Sequence, residues 1–172
     1  MSTRLVVPLL GVASATFLGC HEPPTAPTAV ALRLDHGTYV AVPLAPSGAY
    51  AFRLVVHYEN ATGVPIFFDL CNPSDSLPIF GVPTADGRAL SAYDPVWACR
   101  GGGPALEFPP GASRTDSLLI EGPTAYVGSE PLGVLTGSFR LEYQTQRCAD
   151  GTLACAEAGP RVVSAPFQVL LP

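Results

Sequence analysis

The side chains that could do chemistry in this chain are three histidines, five cysteines and fourteen acidic residues. His57 and Glu59 are two positions apart in AYAFRLVVHYEN, so in an extended strand they lie on one face, where the carboxylate could orient the imidazole as a general base. The same spacing is typical of a polar strand face in contact with water. Because no G-x-S-x-G turn or other acyl-enzyme motif accompanies it, we predict a protein that is not an enzyme and has no catalytic residue.

Motifs for metal ions and cofactors are weak. Four aspartates could in principle approach a calcium ion, but they fall in separate turns without the alternating oxygen spacing of a calcium loop: Asp69, Asp75, Asp86 and Asp94. The cysteines form no C-x-x-C pair and have no histidine at ligand spacing. The stretch CRGGGP is rich in glycine but lacks the lysine of a phosphate-binding loop. We therefore predict neither a metal site nor a cofactor.

The cysteines are odd in number, whereas proteins of oxidising compartments favour paired cysteines. Cys20 stands apart because it directly follows an apolar N-terminal run. The other four lie in the strand-rich remainder of the chain, at Cys71, Cys99, Cys148 and Cys155.

The N-terminal segment has one cation, Arg4, followed by a mostly apolar run from Leu5 to Leu18. A membrane-spanning helix needs roughly 20 apolar residues, so this run is too short to span, but it suits the core of a signal peptide. The stretch FLGC at its end resembles the lipobox of bacterial lipoproteins, with Gly19 and Cys20 matching the pattern. The resemblance implies a signal peptide over residues 1–19 and lipidation of Cys20.

An alternative cleavage site precedes the lipobox-like stretch. ASA, residues 13–15, is an A-x-A signal for ordinary secretion, and a cut after Ala15 would leave Cys20 in the mature protein. Lipidation of Cys20 has the advantage of leaving an even number of cysteines for pairing. We therefore favour the lipoprotein.

The residues after Cys20, HEPPTAPTAV, are rich in proline and threonine and have no apolar periodicity. They predict a flexible tether over residues 20–28, attached to the membrane by acyl chains, of which two or more anchor a protein stably. His21 rather than aspartate follows the cysteine, which by resemblance to lipoproteins of diderm bacteria favours the outer membrane. The expected location is membrane-anchored and extracytoplasmic, with the domain facing the periplasm or at the outer membrane.

From residue 29 onward the chain consists of short strand-like stretches separated by glycine, proline, asparagine and aspartate. About seven such stretches, without a sustained helical period, predict an all-β protein: an immunoglobulin-like antiparallel β-sandwich over residues 29–172. The strands expected at its centre are AYAFRLVVHYEN and SFRLEYQTQ, in which apolar and polar residues alternate.

The four remaining cysteines allow three pairings. We favour Cys148 with Cys155, because they flank the turn-forming pair Asp150-Gly151, and Cys71 with Cys99 across 28 residues. Two disulfides would then staple the sandwich.

The order YENATG, DGR, VWAC, EFPPGASRTDSLL and GSFRLEY resembles bacterial immunoglobulin-like domains related to intracellular proteinase inhibitors. This resemblance supports the sandwich and suggests an alternative function, in which the loop 100–104 or 109–113 enters a protease cleft. Trp97, two residues before Cys99, is expected in the core against a disulfide, with a ligand contact as the alternative. The sequon NAT at Asn60 has no expected use in a bacterial lipoprotein.

The net charge is −5, and the arginines are scattered along the chain rather than clustered. A nucleic-acid-binding protein needs a concentrated positive face, so we predict no nucleic acid partner. The expected function is that of a membrane-anchored binding or structural module, whose partners are the membrane through its lipid anchor and a protein that the sequence does not identify.

Overall fold

The computed structural model describes residues 30–99, 105–148 and 155–172, without the side chains of residues 147, 148 and 155–157. All regular secondary structure in this part of the chain is β-strand, and no helix in it is long and apolar enough to cross a membrane. The strands are β1 (Val30–Leu34), β2 (Thr38–Val40), β3 (Val42–Leu44), β4 (Ala49–Asn60), β5 (Ile66–Asp69), β6 (Phe80–Gly81), β7 (Ala105–Phe108), β8 (Ser113–Gly122), β9 (Tyr126–Val127), β10 (Glu130–Pro131), β11 (Gly137–Phe139), β12 (Glu142–Tyr143), β13 (Thr145–Cys148), β14 (Cys155–Ala158), β15 (Val162–Val163) and β16 (Phe167–Leu170).

The first layer is the sheet built around β4. β8 pairs antiparallel with β4 through ten consecutive positions, from Tyr50 opposite Gly122 to Glu59 opposite Ser113. On the other edge of β4, β1 pairs with its C-terminal half and β3 with its N-terminal end. The alternation of buried and exposed residues along β4 and β8 places one face of this sheet on the core and the other in water.

The second layer follows the segment 137–148, which contains β11, β12 and β13. The C-terminal strands return antiparallel beside it, so that β16, β15 and β14 pair with β11, β12 and β13 in turn. On the opposite side, β6 pairs with β12 and β5 with β13, and β7 extends this side by pairing with β5. β2 adds to the outer edge of β16 as a parallel strand.

Aromatic side chains fill the space between the two layers. From the first layer, Tyr58 packs with its ring centroid 5.9 Å from Phe68 and 5.2 Å from Tyr143, and Phe52 lies 6.1 Å from Phe167. All five of these side chains are buried. This arrangement of two packed antiparallel layers is consistent with a β-sandwich, so the all-β prediction is confirmed.

Each of the seven predicted stretches contains at least one strand, but the strands are shorter and more numerous than predicted. The expected single strand SFRLEYQTQ is divided among β11, β12 and β13. Its inward face is continuous, because Phe139, Leu141 and Tyr143 are fully buried, but its hydrogen-bond partners change along its length. The Arg140 N–H donates to the Pro83 carbonyl and the Leu141 N–H donates to the Ser164 hydroxyl, which interrupts the regular ladder.

The predicted disulfide between Cys71 and Cys99 is present, with Cα atoms 4.9 Å apart. It joins the chain just after β5 to the loop between β6 and β7. Cys148 and Cys155 are register partners in the β13–β14 pairing, next to a register shift between Arg147 and Cys148. Their side chains lie outside those described, so the second bridge stays a prediction.

Candidate functional site

The sequence-predicted pair His57 and Glu59 does lie on one exposed face, that of the first sheet. His57 is the middle member of a cross-strand row, with Arg33 of β1 on one side and Thr115 of β8 on the other. Its Nδ1 atom is 2.7 Å from the Thr115 Oγ1 atom. The next row contains Ala31, Glu59 and Ser113. The partner of the imidazole is therefore a hydroxyl rather than the predicted carboxylate.

The shallow groove around His57 has a volume of about 340 Å³ and is lined by Ala31, Arg33, His57, Tyr58, Glu59, Ser113, Arg114 and Thr115. An imidazole beside a hydroxyl is the contact of a base with a nucleophile. Here, however, both side chains stand on an open sheet face, where water competes for the same hydrogen bonds. The contact is best described as a cross-strand hydrogen bond that links β4 to β8.

A buried polar network lies beneath this face, between the two sheets. The Tyr58 hydroxyl donates to the Asp116 carboxylate and lies 2.9 Å from the Tyr143 hydroxyl. Arg114 donates from Nε to the same carboxylate at 2.9 Å and from its guanidinium to the Ser76 carbonyl. Burial, followed by the adjacent Tyr143 and the hydrogen bond to Asp116, raises the pKa of Tyr58 far above its usual value. The network joins the two layers and keeps a buried carboxylate paired.

Asn60, the acceptor residue of the sequon, is fully buried at the end of β4. Its Nδ2 donates to the carbonyls of Val64 and Phe108, each at 2.9 Å, and its Oδ1 accepts from the N–H of Thr62 at 3.0 Å. The Thr62 hydroxyl is 2.6 Å from the same oxygen. Both sequon polar residues therefore serve the fold, by holding the β4–β5 loop against β7.

His36, in the turn after β1, lies with its Nε2 atom 3.6 Å from Asp35 Oδ2. Asp35 accepts hydrogen bonds from the Tyr39 hydroxyl at 2.6 Å and from the Val55 N–H at 3.1 Å. Burial alone would raise the pKa of Asp35, but these hydrogen bonds outweigh it and lower the pKa below its usual value. This group also has a structural role, since it ties the β1–β2 turn to β4.

The aspartates considered for calcium are dispersed and occupied by other contacts. Asp75 caps the Asn72 N–H, Asp86 accepts from the Arg88 N–H, and Asp94 accepts from the Val82 N–H. Burial raises the pKa of the Asp69 carboxyl, an effect opposed by a hydrogen bond from Gln146. Within residues 30–99, 105–148 and 155–172, no group of three or more histidine, cysteine, aspartate or glutamate side chains could hold a metal ion.

Trp97 is not in the core, contrary to the sequence-based prediction. The residue is 37% exposed, and its ring packs edge-to-face on Phe80 at a centroid distance of 5.4 Å. The indole N–H donates to the Phe80 carbonyl at 2.7 Å, which fixes the ring. Because its polar atom is satisfied at the surface of β6, the ring covers the edge of the second sheet instead of entering the space between the layers.

Trp97 forms one wall of a groove on the outer side of β6 and β12, which we call the Trp97 groove. Its volume is about 170 Å³. The paired strands β6 and β12 contribute residues to its lining, and charged groups stand at the rim, where Arg161 contacts Glu142 at 2.8 Å. The complete lining is Phe80, Gly81, Pro83, Asp94, Pro95, Trp97, Glu142, Gln144 and Arg161.

Of the two loops considered for protease inhibition, the structure describes only the second, residues 109–113. Residues 100–104 lie outside the described residues. Residues 109–113 form a tight turn in which the Ala112 N–H donates to the Pro109 carbonyl, while Gly111 and Ala112 exchange backbone hydrogen bonds with Asn60. This turn is held against the end of β4, and inhibition stays a prediction. Cys20, the predicted lipidation site, also lies outside the described residues.

Comparison with known proteins gives no match to a family model, a curated protein or a solved structure. The candidate sites therefore depend on geometry alone. Sequence reasoning missed the structural role of Asn60 and the buried Asp116. For Asp116 a signal was present, because an acidic residue stands on the same strand face as Leu118 and Ile120.

Proposed function

We propose that this chain is an extracytoplasmic lipoprotein, anchored by acyl chains on Cys20, whose β-domain acts as a non-catalytic binding module. The observation that carries the proposal is the Cys71–Cys99 disulfide. Disulfides persist in oxidising compartments such as the periplasm and the cell surface, and are rare in the cytosol.

The pairing of the cysteines supports a special role for Cys20. Cys71 and Cys99 are joined, and Cys148 is the register partner of Cys155. Register partners of a regular antiparallel pair have Cα atoms about 4.5–5.5 Å apart, a separation that a disulfide can bridge, and Cys148 is paired with Cys155 beside a register shift. Cys20 is then the one cysteine left over, at the end of an apolar run that resembles a lipobox.

The distance from the anchor suits a domain held close to the membrane. Nine residues separate Cys20 from Val30, the first residue of β1. At the extended length of a residue, the connection spans at most about 35 Å. We infer that the domain works near the membrane surface rather than far from it.

Strand order supports an immunoglobulin-like type of sandwich. β1 joins the first sheet beside β4, and β2 crosses to the second sheet to run parallel to β16. The hairpin of segments 137–148 and 155–170 pairs with β5 and β6 on its far side, and β8 pairs with β4. In the letters used for immunoglobulin-like domains, β1, β4 and β8 correspond to strands A, B and E of one sheet. Segment 155–170, segment 137–148 and the pair β5 and β6 correspond to strands G, F and C of the other.

Binding is favoured over catalysis by the arrangement of the polar groups. The His57 contact is a cross-strand hydrogen bond on an open face, and the buried Tyr58 and Asp116 hold the layers together. The Trp97 groove, in contrast, combines an exposed aromatic ring with charged side chains at its rim. This groove therefore offers a ligand both an aromatic contact and hydrogen-bonding groups.

The proposal is tested by metabolic labelling with an alkyne fatty acid in a diderm bacterial host, with the wild-type chain compared with Cys20→Ala. We expect labelling of the wild type and its complete loss in the variant. The double variant Cys71→Ser/Cys99→Ser is the matched control, because it removes two cysteines and should keep the label. Equal labelling of wild type and Cys20→Ala would contradict lipidation at Cys20.

The N-terminus of the mature protein separates the lipoprotein from the secreted alternative. Mass spectrometry should find an acylated Cys20 as the first residue. A mature chain that begins at Thr16 with an unmodified Cys20 would establish cleavage after Ala15 and overturn the anchor.

A further inference from the structure

We propose that the Trp97 groove binds a sugar ring of a glycan. The proposal deepens the binding function proposed above by naming the class of ligand, and it rests on that function. Proteins hold sugar rings by placing an aromatic ring against their C–H groups while planar polar side chains form hydrogen bonds with the hydroxyls. The Trp97 groove brings both kinds of group together.

The aromatic wall is fixed before any ligand arrives. The indole of Trp97 is held by its hydrogen bond to the Phe80 carbonyl and by its edge-to-face packing on the Phe80 ring, with the two ring planes at 83°. More than a third of the accessible surface of the residue is still exposed. Because the ring is already ordered, stacking on it costs little conformational entropy.

Polar groups with complementary hydrogen-bonding capacity stand around this ring. Asp94 is held in place because its Oδ1 atom accepts the Val82 N–H at 2.9 Å. Glu142 and Arg161 are held by their mutual contact, and the side chain of Gln144 adds an amide. Carboxylate oxygens accept hydrogen bonds, a guanidinium donates them and an amide does both, so each hydroxyl of a sugar can find a partner.

Gly81 allows the Asp94 carboxylate to lie close to β6 in the groove. A Cβ atom at this position would lie 3.0 Å from Asp94 Oδ1, closer than ordinary contact. The volume of about 170 Å³ is of the size of one sugar ring rather than of an extended chain. We infer that the groove takes a single ring, with the rest of the glycan outside it.

Two other ligand classes fit the lining less well. Grooves that bind proline-rich peptides use aromatic side chains and a donor for the peptide carbonyls, but the indole N–H of Trp97 is already bonded to Phe80. Aromatic cages for quaternary ammonium groups depend on the attraction of a cation to the rings. The two aromatic rings that line this groove, Phe80 and Trp97, pack edge-to-face on each other rather than enclosing a cation.

The chain contains a single tryptophan, so its fluorescence reports on this groove alone. We would titrate the purified full chain, in a detergent without a sugar head group, with chitotriose, cellotriose and maltotriose. We expect a saturable change of fluorescence with at least one of them. A synthetic peptide of sequence HEPPTAPT and choline serve as the competing ligand classes.

The matched variants are Trp97→Phe and Tyr126→Ala. Saturation-transfer NMR of the sugar replaces fluorescence for Trp97→Phe, which should weaken binding about tenfold because the larger ring surface is lost. Tyr126 is an exposed aromatic outside the groove, so Tyr126→Ala should bind as the wild type does. Asp94→Asn keeps an acceptor for the Val82 N–H and should weaken binding without lowering the melting temperature.

The proposal is overturned if none of the three sugars changes the fluorescence, if the peptide or choline saturates the groove instead, or if Tyr126→Ala weakens sugar binding as much as Trp97→Phe does. The result is independent of the lipid anchor, because fatty-acid labelling of Cys20 tests the anchor separately. If a chain that takes up no fatty-acid label still binds a sugar, the lipid anchor is overturned and the assignment of the Trp97 groove as a sugar site stands.

Discussion

The hydroxyl oxygens of Tyr58 and Tyr143 lie 2.9 Å apart, although the two residues belong to opposite layers of the fold and are 85 positions apart in the chain. Tyr58 also donates to the buried carboxylate of Asp116. The three side chains therefore form a polar connection inside an otherwise apolar core. Such a connection stabilises the fold only while each member keeps its partners.

Removal of single hydroxyls should show which member of this network contributes more to the free energy of unfolding. Tyr58→Phe leaves the Asp116 carboxylate buried without one of its donors, so we expect a loss of about 2–3 kcal/mol in the free energy of unfolding. Tyr143→Phe leaves Asp116 paired with Tyr58 and Arg114 and should cost about 1 kcal/mol. Denaturant unfolding measures both, with Tyr126→Phe, at an exposed hydroxyl, as the control. Equal costs for the two variants would contradict the assigned roles.

The hydroxyl of Tyr93 is expected to behave in the opposite way. Tyr93 is 1% exposed, and its hydroxyl has no hydrogen-bond partner within the described part of the chain. Because a buried polar group without a partner is costly, Tyr93→Phe should leave stability unchanged or raise it by about 1 kcal/mol. A loss of 1 kcal/mol or more would show that the hydroxyl has a partner after all.

Buried tyrosines should also make the fold sensitive to alkali. Burial raises the pKa of Tyr93 to about 12, and it raises the pKa values of Tyr39, Tyr58 and Tyr143 above the usual 10.0 as well. The folded state then holds these protons more tightly than the unfolded state. The stability they contribute is fully present below pH 10, and is lost progressively as the pH rises above it. Phenolate absorbance and circular dichroism should change together; phenolate formation by these four residues in the intact fold would contradict the prediction.

Asn60 should be among the residues least tolerant of substitution. Its buried amide bonds two carbonyls and one N–H, of which the Val64 carbonyl also accepts from the Thr62 hydroxyl, so Asn60→Ala should cost about 3 kcal/mol. Thr62→Val removes only the neighbouring hydroxyl and should cost about 1 kcal/mol. Thermal unfolding of the two variants compares them directly. Similar melting temperatures would argue against the central role of the amide.

Gly122 is required by the close approach of two backbone segments. A Cβ atom at this position would lie 2.5 Å from the Ala92 carbonyl oxygen and 2.7 Å from Cδ1 of Tyr93. Gly122→Ala should therefore destabilise the domain by about 1–3 kcal/mol, since the neighbouring backbone must move. Gly63→Ala is the matched control, because nothing lies within 4 Å of a Cβ there. The measurement is the midpoint of urea unfolding for each variant.

The Cys71–Cys99 disulfide should contribute substantially to stability. It closes a loop with a sequence separation of 28 residues, for which the chain-entropy model gives roughly 3.5 kcal/mol. The double variant Cys71→Ser/Cys99→Ser should lose about this amount, whereas Cys20→Ser should unfold like the wild type. An unchanged midpoint in the double variant would contradict the loop-closure argument.

The sequence allowed the all-β class and the positions of nine of the sixteen described strands to be predicted, because alternation of apolar and polar residues is a local pattern. The sequence also supported the pairing of Cys71 with Cys99. Cys148 and Cys155 flank a local turn and were expected to pair with each other, so Cys71 and Cys99 remained as the second pair. Trp97 was wrongly placed in the core, because its type and its distance from Cys99 do not reveal that the indole N–H is satisfied at the surface by Phe80.

Long-range contacts account for the other differences. Asp116 meets Tyr58 across 58 positions, and Arg114 reaches the Ser76 carbonyl across 38. No spacing rule connects such residues before the register of β4 and β8 is known. The interruptions of SFRLEYQTQ have the same origin, because they depend on Pro83 and Ser164, which belong to other parts of the chain.

The burial of Asn60 has a practical consequence for producing this protein. In a eukaryotic secretory host, the enzyme that attaches glycans meets NAT sequons while the chain is still unfolded, and it does not distinguish a residue destined for the interior. A glycan on Asn60 could not fit where the side chain has no exposed surface. Glycosylation and folding would then compete for the same amide, and bacterial expression avoids this conflict.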